Sequence, residues 1–348
     1  MLDITQIDKN FVVQTELGKE DIRFYGANEA PFSLHGVSYE DGCYRRLPFA
    51  VARSVSEKVG VISTHCAGGR LRFRTNSPYI AISAKMPRIG KMPHFALTGS
   101  AGFDLYEGGR YVKTFVPPFK LTEGFESLIE VGAGEMREYT IHFPLYSAVS
   151  ELYIGLSDKA AVLPPEPYAV EKPIVYYGSS ITQGGCASRP GYAYTNILSR
   201  RLNAEHINLG FSGSARGEDA MAEYISGLSM SAFVYDYDHN APTPEHLEAT
   251  HERMFLRIRR ENPTLPILIL ARPKYYLNVE DRRRLEIIRA TCDRAKAAGD
   301  ENVYMLDGPA LMALAGDEGT VDNCHPNDLG FAAMAKAVEP ILREILKG

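Results

Sequence analysis

Apolar and polar positions alternate along the first half of the chain, in short stretches that Gly, Pro and Asn interrupt. The clearest of these stretches are Leu71–Arg74, Ile80–Met86, Tyr139–Phe143 and Leu152–Leu156. A period of two residues, with turn signals at intervals of about a dozen, predicts antiparallel strands packed into a sandwich. No convincing helix is predicted among them. We therefore expect an antiparallel β-sandwich, of the jelly-roll kind, over residues 1–168.

A proline-rich segment, Leu163-Pro164-Pro165-Glu166-Pro167, marks the domain boundary, because such segments are extended and stiff. We expect a second domain over residues 172–348, where apolar runs alternate with amphipathic stretches of helical length. The expected strands are Ile174–Tyr177, Ile207–Leu209, Ala232–Tyr235, Ile267–Leu270 and Val303–Leu306. The expected helices lie near residues 191–202, 218–225, 244–260, 280–298 and 330–346. This alternation predicts a parallel sheet covered by helices on both faces.

Parallel sheets of this kind bind ligands at the carboxyl ends of their strands, so chemistry is expected in the loops that follow strands. Four polar segments lie there or just before the last helix: Gly178–Gly184, Asn208–Gly213, Asp236–Asn240 and Asp322–Asn327. Together and in this order they resemble the four blocks of the SGNH hydrolases, also called the GDSL esterase and lipase family. The resemblance covers residues 172–348 and implies a flavodoxin-like, three-layer αβα fold.

The resemblance also implies roles for individual residues. Ser180 matches the nucleophilic serine, whose hydroxyl reacts only when a base takes its proton. His325 matches that base, and Asp322 matches the carboxylate that orients the imidazole and stabilises its positive charge. Three donors are implied for the oxyanion hole: the backbone N–H groups of Ser180 and Gly213 and the side-chain amide of Asn240.

Two positions depart from the family pattern. Residue 179 is Ser where the name-giving motif has Asp; that Asp does not react, so we expect altered packing and unchanged chemistry. The third block reads D-Y-D-H-N rather than G-x-N-D, so Asn240 is assigned by its order along the chain. In the first half, Gly102–Tyr106 reads G-F-D-L-Y and resembles the G-x-D-L-Y signature of a small β domain that precedes some SGNH esterases.

Composition and charge narrow the choice of partners and cofactors. The net charge of −5 provides no basic face for nucleic acid. No apolar run reaches the length of about eighteen residues that a membrane span needs. The five cysteines contain no C-x-x-C pair, which favours reduced thiols over disulfides or a cysteine zinc site. The N-terminus does not read as a signal peptide, so we expect a cytoplasmic protein; a secreted one with its signal peptide removed is the alternative.

Other residues of the types that bind metals are expected to have other roles. Asp236, Asp238 and Asn240 begin like a calcium loop but lack its glycine and final glutamate, so we expect no metal and no cofactor. His246 and His251 fall on a predicted helix, where we expect solvated side chains. Four more histidines lie among the predicted strands, where core or surface roles are expected rather than ligation: His35, His65, His94 and His142.

The expected function is the hydrolysis of short-chain acyl esters, with acetyl esters of carbohydrates as the leading candidate. A β-sandwich in front of such a domain recurs in carbohydrate acetylesterases and would form one wall of the sugar site. Two alternatives stay open: a lipase or acyl transferase that acts on non-sugar esters, and a carbohydrate-binding protein without activity. The substrate is expected to be a small-molecule or oligosaccharide ester, and the oligomeric state is left open.

Overall fold

The fold was analysed in a computed structural model that describes residues 4–8, 12–13 and 16–347. The strands described in the first half of the chain are β1 Ile22–Gly26, β2 Ser33–His35, β3 Ser38–Glu40, β4 Cys43–Arg45, β5 Arg70–Thr75, β6 Tyr79–Lys85, β7 Phe103–Glu107, β8 Arg110–Phe115, β9 Gly124–Glu130, β10 Arg137–His142, β11 Glu151–Ser157 and β12 Val162–Leu163.

These strands form the expected sandwich of two antiparallel sheets. One sheet has the order β1-β11-β6-β9 and the other the order β12-β5-β10-β7-β8, with β2 also paired to β5. Strands β3 and β4 form a separate hairpin. Apolar side chains of both sheets share one buried core, which includes Phe73, Ile82, Ile141 and Ile154. The alternation in the sequence arises because every second side chain of a strand enters such a core.

The expectation that this half contains no helix is wrong. It contains α1 Ile4–Ile7, α2 Phe49–Val55, α3 Glu57–Ile62 and α4 Leu97–Ala101. None of these helices exceeds two turns, which is too short for a helical period to show in the sequence. Leu47, Ala52 and Val59, in and beside α2 and α3, are buried in the core of the second half of the chain. The first half therefore supplies part of the second half's apolar interior.

The second half has the predicted three layers. Its strands are β13 Val170–Gly178, β14 Ala204–Gly210, β15 Ala232–Asp236, β16 Ile267–Leu270 and β17 Val303–Leu306. All neighbours are parallel, in the order β14-β13-β15-β16-β17, which is the flavodoxin-like order. In β13, Val175 and Tyr177 are buried on one face, and Ile174 and Tyr176 on the other. A central strand buried on both faces reads as a continuous apolar run.

Helices cover both faces of this sheet: α5 Ser180–Gln183, α6 Tyr194–Leu202, α7 Asp219–Ser226, α8 Pro244–Glu261, α9 Val279–Ala297, α10 Gly308–Leu311 and α11 Asp328–Ile345. Helices α7, α8 and α9 pack on one face, and α6 and α11 on the other. The expected solvation of His251 is wrong, because it lies on the apolar face of α8, and its Nδ1 is 2.9 Å from Oγ1 of Thr291. Among the described residues, no helix is long and apolar enough to span a membrane.

The proline-rich segment is held against the sandwich. Nε of Arg74 donates to the carbonyl O of Pro164 at 2.8 Å, and the same guanidinium pairs with Glu166. The guanidinium of Arg72 stacks on the Tyr168 ring, 4.0 Å from its centroid. These contacts fix the joint, while the proposed domain boundaries at residues 168 and 172 stay a prediction.

Candidate active site

The loops at the carboxyl edge of the parallel sheet carry the residues that the sequence singled out. Ser180 follows β13, Gly213 lies in the loop after β14, and Asn240 follows β15. Since β13 lies between β14 and β15, these three loops are neighbours. Asp322 and His325 reach the same edge from the loop that precedes α11.

Ser180 is the first residue of α5, a single helical turn that begins directly after β13. The Ser179 hydroxyl accepts the N–H of Ile181 at 3.1 Å and so caps this turn, a role that Ser and Asp fill equally well. Gly178 leaves no room for a side chain, because a Cβ atom there would lie 2.1 Å from the carbonyl O of Asp236. The strand and the turn are therefore tightly joined, and Ser180 is buried with its hydroxyl toward His325.

A hydrogen-bonded series joins Ser180, His325 and Asp322. Oγ of Ser180 lies 2.9 Å from Nε2 of His325, and Nδ1 of the same ring lies 2.7 Å from Oδ2 of Asp322. Oδ1 of Asp322 accepts the backbone N–H groups of Cys324 at 3.1 Å and of His325 at 2.7 Å. Desolvation raises the pKa of Asp322, but the hydrogen bonds from His325 outweigh it and lower the pKa below its ordinary value. The ionised carboxylate can therefore balance a positive charge on the ring.

Hydrogen-bond donors are available beside this series. Nδ2 of Asn240 donates one hydrogen to the carbonyl O of Phe211 at 2.8 Å, which leaves its second amide hydrogen for another acceptor. The exposed Gly213 adopts a φ of 63°, in the left-handed region that favours glycine. Within the described part of the chain, neither its N–H nor the N–H of Ser180 has a hydrogen-bond acceptor. These groups can therefore bind an oxygen atom from outside the protein.

A buried carboxyl group lies behind the turn that carries Ser180. Oδ2 of Asp236 accepts the hydroxyl of Thr182 at 2.8 Å. Burial raises the pKa of Asp236 to about 8, against the hydrogen bond from Thr182 and with the nearby Asp238 adding to the rise. Asp238 instead forms an ion pair with Arg272, 3.2 Å away. The two carboxyl groups thus have separate partners, unlike the converging ligands of a calcium loop.

The first half of the chain brings to this edge further residues that the sequence motifs did not predict. The buried Tyr146 donates its hydroxyl to the carbonyl O of Ser180 at 3.3 Å. His94, expected to have a core or surface role, is exposed, and its Nε2 lies 4.0 Å from Oδ2 of Asp322. Its ring centroid is 6.2 Å from that of His325. Both residues lie outside the regular strands and far from Ser180 in sequence, so no periodicity or motif marks them.

The G-x-D-L-Y motif forms β7, and its two faces have different neighbours. Phe103 and Leu105 are buried in the core of the sandwich. Oδ2 of Asp104 accepts the N–H of Gly191 at 2.8 Å and the guanidinium of Arg189 at 3.1 Å. Both partners lie between α5 and α6, on the segment that follows the candidate nucleophile. The motif therefore ties the sandwich to that segment.

The second half of the chain is a three-layer αβα domain, and a serine, a histidine and a carboxylate lie in hydrogen-bonded series at the carboxyl edge of its sheet. This combination of fold and site is typical of ester hydrolases. The chain belongs to the GDSL-like lipase/acylhydrolase family, whose model matches residues 171–343. The model of the GxDLY domain, the N-terminus of SGNH-hydrolase-type esterases, matches residues 22–162. A GDSL-like lipase from Bacteroides ovatus is 31% identical with a TM-score of 0.83, over 94% of this chain and 98% of that chain.

Two further solved structures share the fold. A salicylyl-acyltransferase from a tetracycline biosynthetic pathway has a TM-score of 0.77 at 19% identity, covering 94% of this chain and 98% of that one. An acetyl xylan esterase from the rumen bacterium Butyrivibrio proteoclasticus has a TM-score of 0.60 at 12% identity, covering 94% and 99%. A search of curated proteins found no match. The comparisons confirm the family resemblance, the fold class and the ester-hydrolase activity expected from the sequence.

Proposed function

We propose that this protein hydrolyses short-chain acyl esters, with acetyl groups on carbohydrates as the substrate, through a triad of Ser180, His325 and Asp322. The proposal rests on the hydrogen-bonded series that runs from Oγ of Ser180 through the ring of His325 to Asp322, with distances of 2.9 Å and 2.7 Å. A hydroxyl in contact with an imidazole that a carboxylate holds in place is the arrangement that makes serine a nucleophile.

The reaction follows from these contacts in two steps. Oγ of Ser180 attacks the ester carbonyl carbon while Nε2 of His325 takes the hydroxyl proton, and Asp322 balances the charge on the ring. When the tetrahedral intermediate collapses, His325 gives this proton to the leaving alcohol, and the acyl group remains on Ser180. Water then attacks the acyl group while His325 takes a proton from it. When this second tetrahedral intermediate collapses, His325 gives the proton to Oγ of Ser180 and the carboxylic acid leaves.

The negative charge on the substrate oxygen needs donors that are already in position. We assign this role to the N–H groups of Ser180 and Gly213 and the side-chain amide of Asn240. Two observations support the assignment: neither N–H has an acceptor among the described residues, and the carbonyl O of Phe211 holds the Asn240 amide beside the loop of Gly213. The link from Oε1 of Gln183 to the N–H of Ser212, at 3.0 Å, ties that loop to the nucleophile turn.

An apolar groove supports a substrate with an extended alcohol part. Its volume is about 500 Å³, and its lining includes Met92 and Phe95 from the segment between β6 and α4, Leu97 at the start of α4, and Phe119. Phe119 is 89% exposed, and an exposed aromatic at the rim of a groove is a feature of ligand-binding surfaces. Phe95 packs edge-on against Tyr146, which contacts Ser180, so the groove adjoins the triad. Carbohydrate as the alcohol is also supported by the acetyl xylan esterase among the structural neighbours.

Acyl transfer to an alcohol other than water is a second candidate. One structural neighbour that aligns along both halves of the chain is a salicylyl-acyltransferase, and the groove that would hold an acceptor is largely apolar. The same acyl group on Ser180 serves both reactions, so the acceptor decides between them. The presence of Ser180, His325 and Asp322 in contact disfavours the third alternative, a carbohydrate-binding protein without activity.

A series of p-nitrophenyl esters from acetate to octanoate, followed by acetylated xylo-oligosaccharides, tests the proposal. We expect the acetate ester to have the highest kcat/KM and acetate to be released from the oligosaccharides. Phe119→Ala should reduce turnover of the oligosaccharides more than that of p-nitrophenyl acetate, whereas Phe24→Ala, an exposed aromatic on β1, should change neither. A preference for octanoate, with no acetate released, would favour a lipase; ester products with added alcohols would favour an acyl transferase.

A further inference from the structure

Three side chains with metal-binding atoms lie close together at the triad. One of them, His325, belongs to the triad, and the other two have no part in the proposed reaction. They are His94 from the segment between β6 and α4, Cys186 from the loop after α5, and His325. One ligand atom from each lies within 4.8 Å of the other two. His94 is exposed, His325 is half-buried and Cys186 is buried, so the cluster opens to solvent on one side.

The donor atoms suit zinc. Nitrogen from His and sulfur from Cys are ligands that Zn²⁺ prefers, and in a tetrahedral site they lie about 3.3–3.6 Å apart. A shift of about 1 Å in the side chains brings the three ligand atoms, which lie within 4.8 Å of one another, to that spacing. The carboxylate of Asp322, 4.0 Å from Nε2 of His94, adds a negative charge beside the ion. Three protein ligands leave one coordination position of the metal open.

The conformation of Cys186 is a second, independent observation. Its φ of 75° lies in the left-handed region, which glycine adopts more readily than cysteine. The two residues before it, Gly184 and Gly185, are glycines, yet a cysteine occupies this position. The side chain is 8% exposed, so its thiol lies at the buried end of the cluster. The proposed ester chemistry leaves this thiol without a function.

We infer that one Zn²⁺ ion binds His94, Cys186 and His325 and thereby inhibits the enzyme. On binding, a Zn–S bond replaces the S–H bond of Cys186, and the proton passes to solvent. Either ring nitrogen of His325 serves: binding at Nε2 removes the partner of Ser180, and binding at Nδ1 removes the partner of Asp322. Only the inhibition, and not the binding, rests on the proposed role of His325 as the base.

The test uses the metal-free full-length protein and measures two quantities against ZnCl₂ concentration. Zinc binding is followed by competition with a chromophoric chelator, and hydrolysis of p-nitrophenyl acetate is followed in parallel. In wild type we expect binding of one Zn²⁺ and inhibition over the same concentration range, reversed by EDTA. Cys186→Ser and His94→Gln should keep most of the zinc-free turnover yet weaken both effects by about tenfold or more, since even outer-shell changes weaken metal binding by about 10–100-fold.

Matched controls are Cys43 and His246, which are both half-buried and do not belong to the cluster. Cys43→Ser and His246→Gln should bind zinc as wild type does. Wild-type affinity in both Cys186→Ser and His94→Gln would overturn the site. If Cys186→Ser fails to fold, His94→Gln alone decides, because this side chain is exposed. Zinc binding that needs both residues but leaves hydrolysis unchanged would support the site and overturn the role of His325 as the base.

Discussion

Replacing Asp104 with Asn should loosen the contact between the sandwich and the segment that follows the nucleophile. The carboxyl group is 0% exposed. It accepts hydrogen bonds from the Thr114 hydroxyl at 2.6 Å, the N–H of Gly191 at 2.8 Å and the guanidinium of Arg189 at 3.1 Å. All three neighbours donate, so the NH₂ group of an Asn must face a donor on one side. At least one hydrogen bond is lost, and Arg189 loses its counter-charge.

The size of the effect follows from burial. Removing one partner of a buried ion pair costs about 3–5 kcal/mol, because the other charge stays buried. The side chain of Arg189 is 18% exposed and stacks on the Tyr111 ring at 3.8 Å, so it keeps part of its stabilisation. We therefore expect Asp104→Asn to lower the free energy of unfolding by about 3 kcal/mol, the lower end of that range. We also expect kcat/KM to fall, because Gly191 lies on the segment after Ser180.

Urea unfolding monitored by far-UV circular dichroism measures this loss, since the chain has no Trp for fluorescence. Asp158→Asn is the matched control: this Asp lies in the same half of the chain, is exposed and should tolerate the change. A free energy of unfolding for Asp104→Asn within about 0.5 kcal/mol of wild type, the range of ordinary surface substitutions, would show that the Asp104 carboxylate is not needed for this contact.

Asn240→Ala should lower kcat by about 10²–10³ with little change in KM, because it removes a donor to the developing oxyanion. Steady-state kinetics check this, and an unchanged kcat would remove Asn240 from the oxyanion hole. Asp236→Asn should flatten the dependence of stability on pH. Burial raises the folded-state pKa of Asp236 to about 8. The contribution of this group to the free energy of unfolding is therefore complete below the ordinary Asp pKa and is lost as the pH rises through about 8. Urea unfolding of wild type and Asp236→Asn at about pH 5 and about pH 9 measures how much the free energy of unfolding changes with pH. An equal change in the two proteins would contradict the raised pKa of Asp236. Prolonged EDTA treatment should leave hydrolysis intact, because the triad needs no metal; a loss restored by a divalent ion would count against this.

The second half of the chain was largely predictable from the sequence for a physical reason. Strands buried on both faces are continuous apolar runs, and the expected Ile174–Tyr177 and Ala232–Tyr235 lie within β13 and β15. The helix expected over residues 244–260 is α8, because eighteen residues give a clear helical period. Ser180, Asp322 and His325, whose side chains are in contact, could be singled out because each lies in a short motif next to a strand end or a helix start.

Contacts between distant segments could not be predicted in the same way. Helices α2 and α3 are too short for a period, and the packing of Ala52 and Val59 into the other half depends on the tertiary fold. The same holds for His94 and Tyr146, whose places beside the triad have no local sequence signal. A truncated protein that begins after the proline-rich segment would expose apolar surface that the first half covers. Point variants therefore test the contribution of the first half more clearly than truncation does.

Covalent labelling shows directly whether Ser180 is the nucleophile. A fluorophosphonate reacts with a serine hydroxyl that a neighbouring base activates, and peptide mass spectrometry locates the adduct. We expect one adduct per chain, on the peptide that contains Ser180, with hydrolysis lost in proportion to labelling. Ser180→Ala should acquire no adduct, and His325→Ala should be labelled far more slowly. An adduct on another residue, or an active and fully labelled Ser180→Ala protein, would contradict the assignment of the nucleophile.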